Sequence, residues 1–117
     1  MLAQNESHMT ELSPQQIAIL ERLIGKGYVP VAFPLYANAV GIRKGSCAAL
    51  LDPITGDGFR IFGEPCMLLD GNLTVQVKDR NQSWFVWKKQ RLEATPERIA
   101  ELGRFVEEIR ILLEPHL

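Results

Sequence analysis

Between Tyr28 and Leu92 the chain meets a cluster of turn formers about every ten residues, with no helical segment between them. Strands separated by so little chain are joined by hairpins. A parallel crossover needs a dozen or more residues and usually a helix of its own, so a parallel doubly wound sheet is disfavoured. The turn clusters are Lys44-Gly45-Ser46, Asp52 to Gly58, Gly63-Glu64-Pro65, Asp70-Gly71-Asn72 and Asp79 to Gln82. Asp-Gly between two strand-like runs is a strong hairpin signal, because both residues tolerate positive φ.

Between the turns, the segments 39–43, 47–51, 58–62, 66–69, 73–78 and 83–92 read as short strands. Leu73 to Lys78 alternates, apolar on one face and polar on the other. Gly63-Glu64-Pro65 reads as a strand break. Tyr28 to Pro34 has extended character, but its two prolines lack ladder donors, which places it at a sheet edge or in an ordered loop.

Helices bracket this region. Ser13-Pro14-Gln15-Gln16 combines a capping serine, a proline suited to the first helical position and a glutamine able to close a capping box. Ile17, Leu20, Leu23 and Ile24 follow as an apolar stripe, and Gly25-Lys26-Gly27 ends the helix. Thr95-Pro96 starts a second helix, whose apolar face runs through Ile99, Leu102, Phe105, Val106, Ile109, Leu112 and Leu113 until Pro115. Arg104 and Glu108 are spaced to pair on its outer side. The expectation is an α+β domain: an antiparallel meander of five to six short strands, with the N-terminal and C-terminal helices packed on one face. Residues 1–12 read as a mobile tail and 13–117 as one domain.

With 117 residues, 46% of them apolar, the chain can bury a core without metal or disulfide. Cys47 and Cys66 fit no metal-binding spacing and read as reduced, buried thiols. The start has neither the basic nor the apolar run of a secretory leader, and no stretch reaches the roughly 20 apolar residues of a membrane span. The cytoplasm is therefore the expected location, and membrane association is not expected.

The residues offer catalysis little. His8 and His116 stand near the two ends, so a Cys–His or Ser–His pair would need one end to fold back onto the sheet. No metal set and no cofactor motif is present; Thr55-Gly56-Asp57-Gly58 lacks the lysine and the helix of a phosphate loop. Asp52, Asp57, Glu64 and Asp70 could hold a small molecule or act as acid and base if the fold converged them, although aspartates are also default turn residues.

The strongest surface feature is Trp84-Phe85-Val86-Trp87-Lys88-Lys89-Gln90-Arg91. Alternation sends Trp84, Val86 and Lys88 to one face and Phe85, Trp87 and Lys89 to the other. Two aromatic faces exceed what a one-sided sheet buries, so Phe85, Trp87, Lys88, Lys89 and Arg91 are the expected interaction surface. A protein partner or a second copy of the chain is the favoured occupant. Single-stranded nucleic acid, stacked on Trp87 and held by Lys88 and Lys89, is a weaker alternative, because the net charge of −1 lacks the basic excess of a dedicated binder. The function expected is that of a non-catalytic interaction module, such as an adaptor, a chaperone-like protein or a regulatory subunit.

Overall fold

A computed structural model describes residues 12–33, 36, 38–54 and 58–113. Residues 1–11, 55–57 and 114–117 lie outside the described residues, so His8, His116 and one of the four turn acids, Asp57, are not placed; Leu12, read as the end of the tail, packs against the core.

Helix α1 (Pro14–Gly25) begins as its sequence dictates. The Ser13 hydroxyl accepts from the Gln16 N–H at 3.1 Å, and the Gln16 side chain accepts from the Ser13 N–H at 2.9 Å. Its buried face, however, is Gln16, Ile19 and Leu23, while Ile17 and Ile24 are 46% and 52% exposed. Positions 16, 19 and 23 have the same helical spacing as 17, 20 and 24, shifted by one residue, so periodicity alone could not choose between the two. Packing chose the face on which the Gln16 amide donates to the Gly58 carbonyl at 2.9 Å.

Eight antiparallel strands follow among the described residues, in two sheets: β1 (Val29–Val31), β2 (Val40–Lys44), β3 (Cys47–Ile54), β4 (Gly58–Leu69) and β5 (Asn72–Leu73) in one, β6 (Val75–Asp79), β7 (Gln82–Trp87) and β8 (Gln90–Glu93) in the other. Neighbours in sequence are neighbours in each sheet, as a meander requires. The proline-bearing β1 is an edge strand. Helix α2 (Pro96–Leu113) closes the fold, its first turn capped by the Thr95 hydroxyl, which accepts from the Arg98 N–H at 3.2 Å.

Three strands differ from the sequence reading; the first is Leu73 to Lys78, which breaks at Thr74 into β5 and β6 in different sheets. Gly63-Glu64-Pro65 does not end a strand. Leu50 pairs with Phe62 and Ala48 with Cys66, so three residues of β4 stand opposite one of β3. The pair is bulged, with Gly63 at φ 71, and the strand continues. The segment 83–92 is two strands, because Trp87 pairs with Gln90 and leaves Lys88-Lys89 as a two-residue loop with Lys88 at φ 54. Lys-Lys carries none of the usual turn signature, which is why this hairpin is invisible in the pattern.

Both helices bury their apolar faces against one side of the larger sheet. Ile19, Leu23, Phe105, Ile109 and Leu112 form a single core with Ile42, Cys47, Ala49, Leu51, Phe59 and Met67. Glu108 does not rely on Arg104. It reaches across to the sheet, accepting from the Tyr28 hydroxyl at 2.6 Å and from Lys44 Nζ at 3.0 Å. The Arg22 guanidinium donates to the Leu112 carbonyl at 2.9 Å and so ties α1 to the end of α2. No described helix is long and apolar enough to cross a membrane.

Candidate binding groove

The groove arises where one hairpin fails to zip. β5 pairs with β4 only through Leu68–Leu73 and Leu69–Asn72, and the Thr74 hydroxyl then donates to the Met67 carbonyl. Beyond Thr74 the chain leaves β4 and pairs with β7 instead. The space between the diverging strands is an apolar groove of about 710 Å³. One wall is Leu50, Phe62 and the β4 bulge; the other is Thr74 to Val77, with Phe85 to Lys88 beside it. Phe33 and Tyr36 also line it.

The local sequence explains each wall. Leu50, Phe62, Ala48 and Cys66 share the sheet face opposite the helices, because paired antiparallel residues point to the same side. Gly41 lies on that face opposite Leu50, and the Phe33 ring fills the place where a side chain at Gly41 would stand. Phe62 and Tyr36 meet edge to face, with ring centroids 6.1 Å apart, yet remain 47% and 40% exposed. Exposed aromatics beside a concave apolar surface are the arrangement expected of a binding site.

The three-stranded sheet has two unlike faces. Phe85 is completely buried in the core. It therefore supports the groove from beneath and is not accessible as a docking residue, which corrects its place in the expected interaction surface. Trp87 is half-buried and Lys88 exposed, and both line the groove, with Lys88 Nζ 5.1 Å from the Trp87 ring centroid. Lys89 is exposed in the same loop. Arg91 lies on the opposite face, its guanidinium 4.2 Å from the Trp84 ring centroid and 3.9 Å from Asp79. That outer face also carries Val75, 67% exposed, and Val77, 42% exposed. The apolar side of β6 thus faces away from the core and lines the groove, whereas its core-facing side carries Gln76.

The three described acids, Asp52, Glu64 and Asp70, are placed apart. Asp52 accepts two hydrogen bonds from Arg60, at 3.1 and 3.2 Å. Asp70 sits at φ 51 in the turn after β4, at the other end of that strand. Glu64 is exposed on the bulge and lines the groove. No cluster of three metal-ligating side chains occurs among the described residues.

The thiols are free and buried. Cys47 pairs with Met67 and Cys66 with Ala48, so the two point to opposite faces of the sheet. Burial pushes the Cys47 thiol up to about 12, and the nearby Glu101 carboxylate adds to the effect. Burial also raises Cys66, although its hydrogen bonds with Thr74 oppose the shift. Neither is an activated nucleophile.

Sequence reasoning located Trp87 and Lys88 but missed Phe33, Tyr36, Phe62, Val75 and Val77. The alternation of β6 was a usable signal. Alternation alone does not say which way the apolar face points, and the pairing with β7 decides it. Compared with protein families, with curated proteins and with solved structures, the chain matches none.

Proposed function

We propose that this chain is a non-catalytic interaction module that captures an apolar segment of a protein partner in the groove between β4 and β6. The observation that carries this reading is the pair Tyr36–Phe62, two aromatics left open to solvent on the wall of a concave apolar surface. Burying such rings on binding contributes strongly to affinity, and aromatic side chains dominate protein interfaces for that reason. Trp87 and Lys88 line the same groove, which supports reading the Trp87 segment as part of the interaction surface, and Lys89 is exposed in the same loop. Two buried free thiols that face away from each other suit a reducing compartment, which favours the cytoplasm.

The test is panning of a random peptide library displayed on phage against the wild type and against Phe62→Asp. Enrichment on the wild type alone supports the reading. Absence of enrichment, or equal enrichment on both, sinks it, provided the variant retains a cooperative unfolding transition.

A second reading, binding of a small apolar molecule, is favoured by the size of the groove, which falls within the range of small-ligand sites. In that case a solvatochromic dye would saturate the groove with one-to-one stoichiometry while the library gave nothing.

A further inference from the structure

Resting on the interaction reading above, we infer that the partner binds as an added β-strand: an extended peptide alternating acidic with apolar residues, laid along the free edge of β6.

The backbone accounting of the small sheet points to this edge. The Ala94 N–H donates to the Ser83 carbonyl at 3.0 Å, so Ser83 directs its backbone groups toward β8. Alternation makes Phe85 and Trp87 do the same and turns Trp84 and Val86 toward β6. Their partners there are Val77 and Val75. The backbone N–H and C=O groups of Gln76 and Lys78 therefore point away from β7. They have no strand partner among the described residues, and all five residues of β6 are exposed. An unpaired strand edge is a template for another strand.

This edge borders the groove, whose lining runs continuously from Asn72 to Val77. A strand added here would send alternate side chains to the two faces of the small sheet. One set lies with Val75 and Val77, which line the groove together with Phe62. The other falls on the face of Gln76 and Lys78.

Charge selects the partner. The small sheet carries five basic side chains, Lys78, Arg80, Lys88, Lys89 and Arg91, against the two acids Asp79 and Glu93, in a chain whose net charge is −1. Lys78 lies on β6, Arg80 in the turn at one end of it and Lys88 and Lys89 in the turn at the other, while Arg91 lies on β8 and faces Asp79. Pairing two copies edge to edge would bring two basic sheets together, whereas a peptide bearing carboxylates meets them favourably.

The experiment is fluorescence anisotropy on the full chain with a labelled strand-length peptide alternating Glu with Phe and Val. The unmodified peptide is expected to bind, more weakly as salt is raised. Replacing its Glu residues by Lys should lower affinity about tenfold or more, the change that corresponds to about 1.4 kcal/mol. N-methylation of one alternate set of its amides should do the same, while N-methylation of the other set has little effect. Gln76→Pro removes one outward donor and leaves the ladder to β7 intact, so it should weaken binding without abolishing cooperative unfolding. Equal binding by both N-methylated peptides overturns strand addition while leaving groove binding in place. A wild type that self-associates through β6, losing its dimer in Gln76→Pro, overturns the acidic-peptide assignment, as does displacement of the peptide by a single-stranded oligonucleotide. Loss of Phe62-dependent library enrichment, by contrast, removes the interaction reading itself.

Discussion

The Tyr28 hydroxyl donates a 2.6 Å hydrogen bond to Glu108, joining the start of the larger sheet to the middle of α2 across 80 residues of chain. Lys44 completes the arrangement, its Nζ 3.0 Å from the same carboxylate oxygen and 4.9 Å from the Tyr28 ring centroid. The hydrogen bonds from Tyr28 and Lys44 hold the Glu108 carboxyl below its usual range. Burial, followed by the bond to Glu108, holds the Tyr28 hydroxyl well above its own.

These opposite shifts act at opposite ends of the pH scale. Glu108 is more acidic folded than unfolded, so its contribution is present above the unfolded value of about 4.3 and is lost as pH falls through the lower folded value. Tyr28 is less acidic folded, so its contribution is intact below about pH 10 and is lost as pH rises toward the higher folded value. Tyr28→Phe is expected to cost about 1 kcal/mol at neutral pH, because Glu108 is partly solvated and keeps Lys44. It should also flatten the alkaline loss of stability. Denaturant titrations of wild type and variant across pH check both expectations.

Gly41→Ala should destabilise the fold by about 2 kcal/mol. A Cβ there would run into the Val31 carbonyl oxygen and the Phe33 ring, so either β1 or Phe33 must move. Because Phe33 lines the groove, the same substitution should weaken peptide binding. An alanine variant as stable as the wild type would show that β1 yields freely.

Lys88 occupies left-handed backbone, φ 54, that costs a side chain with a Cβ roughly 1 kcal/mol. Lys88→Asn should therefore raise stability by about 0.5 kcal/mol, since asparagine tolerates this region and still restrains the unfolded chain more than glycine does. Lys88→Val should lower stability. Paired thermal melts decide it, and a stabilising valine contradicts the assigned turn.

Phe85 and Trp87, two residues apart on one strand, should behave differently. Phe85→Ala removes a ring that is 0% exposed and should cost about 3–5 kcal/mol of folding stability. Trp87→Ala should cost less stability but reduce partner binding by about 2 kcal/mol, as at an interface hot spot. Chemical denaturation read beside peptide titration separates them. Equal stability losses would return Trp87 to the core.

Cys47 and Cys66 should resist alkylation at pH 8 in the folded protein and react fully after denaturation, because burial disfavours both thiolates. Counting modified thiols by mass spectrometry checks this. Rapid modification of Cys66 alone would mean that the groove opens to its floor.

The local rules of the chain were legible in its residues. Ser13 with Gln16, Thr95 with Pro96, and Asp70-Gly71 are interactions among near neighbours, so the α+β class, the helix starts and that hairpin follow from sequence. The groove did not follow in the same way. Ile17 and Ile19 are equally apolar, and only the docking of α1 against β4 and α2 selected which was buried. The outward turn of Val75 and Val77 depends on β6 leaving β4 for β7, a choice between two partners that both accept the same alternation. Sequence by itself determined where the helices begin and where the Asp70-Gly71 hairpin turns, because caps and turns act over three or four residues. Which faces met, and so which stretch of β4 and β6 was left open as a groove, was decided by tertiary structure, because burial is shared among segments far apart in the chain.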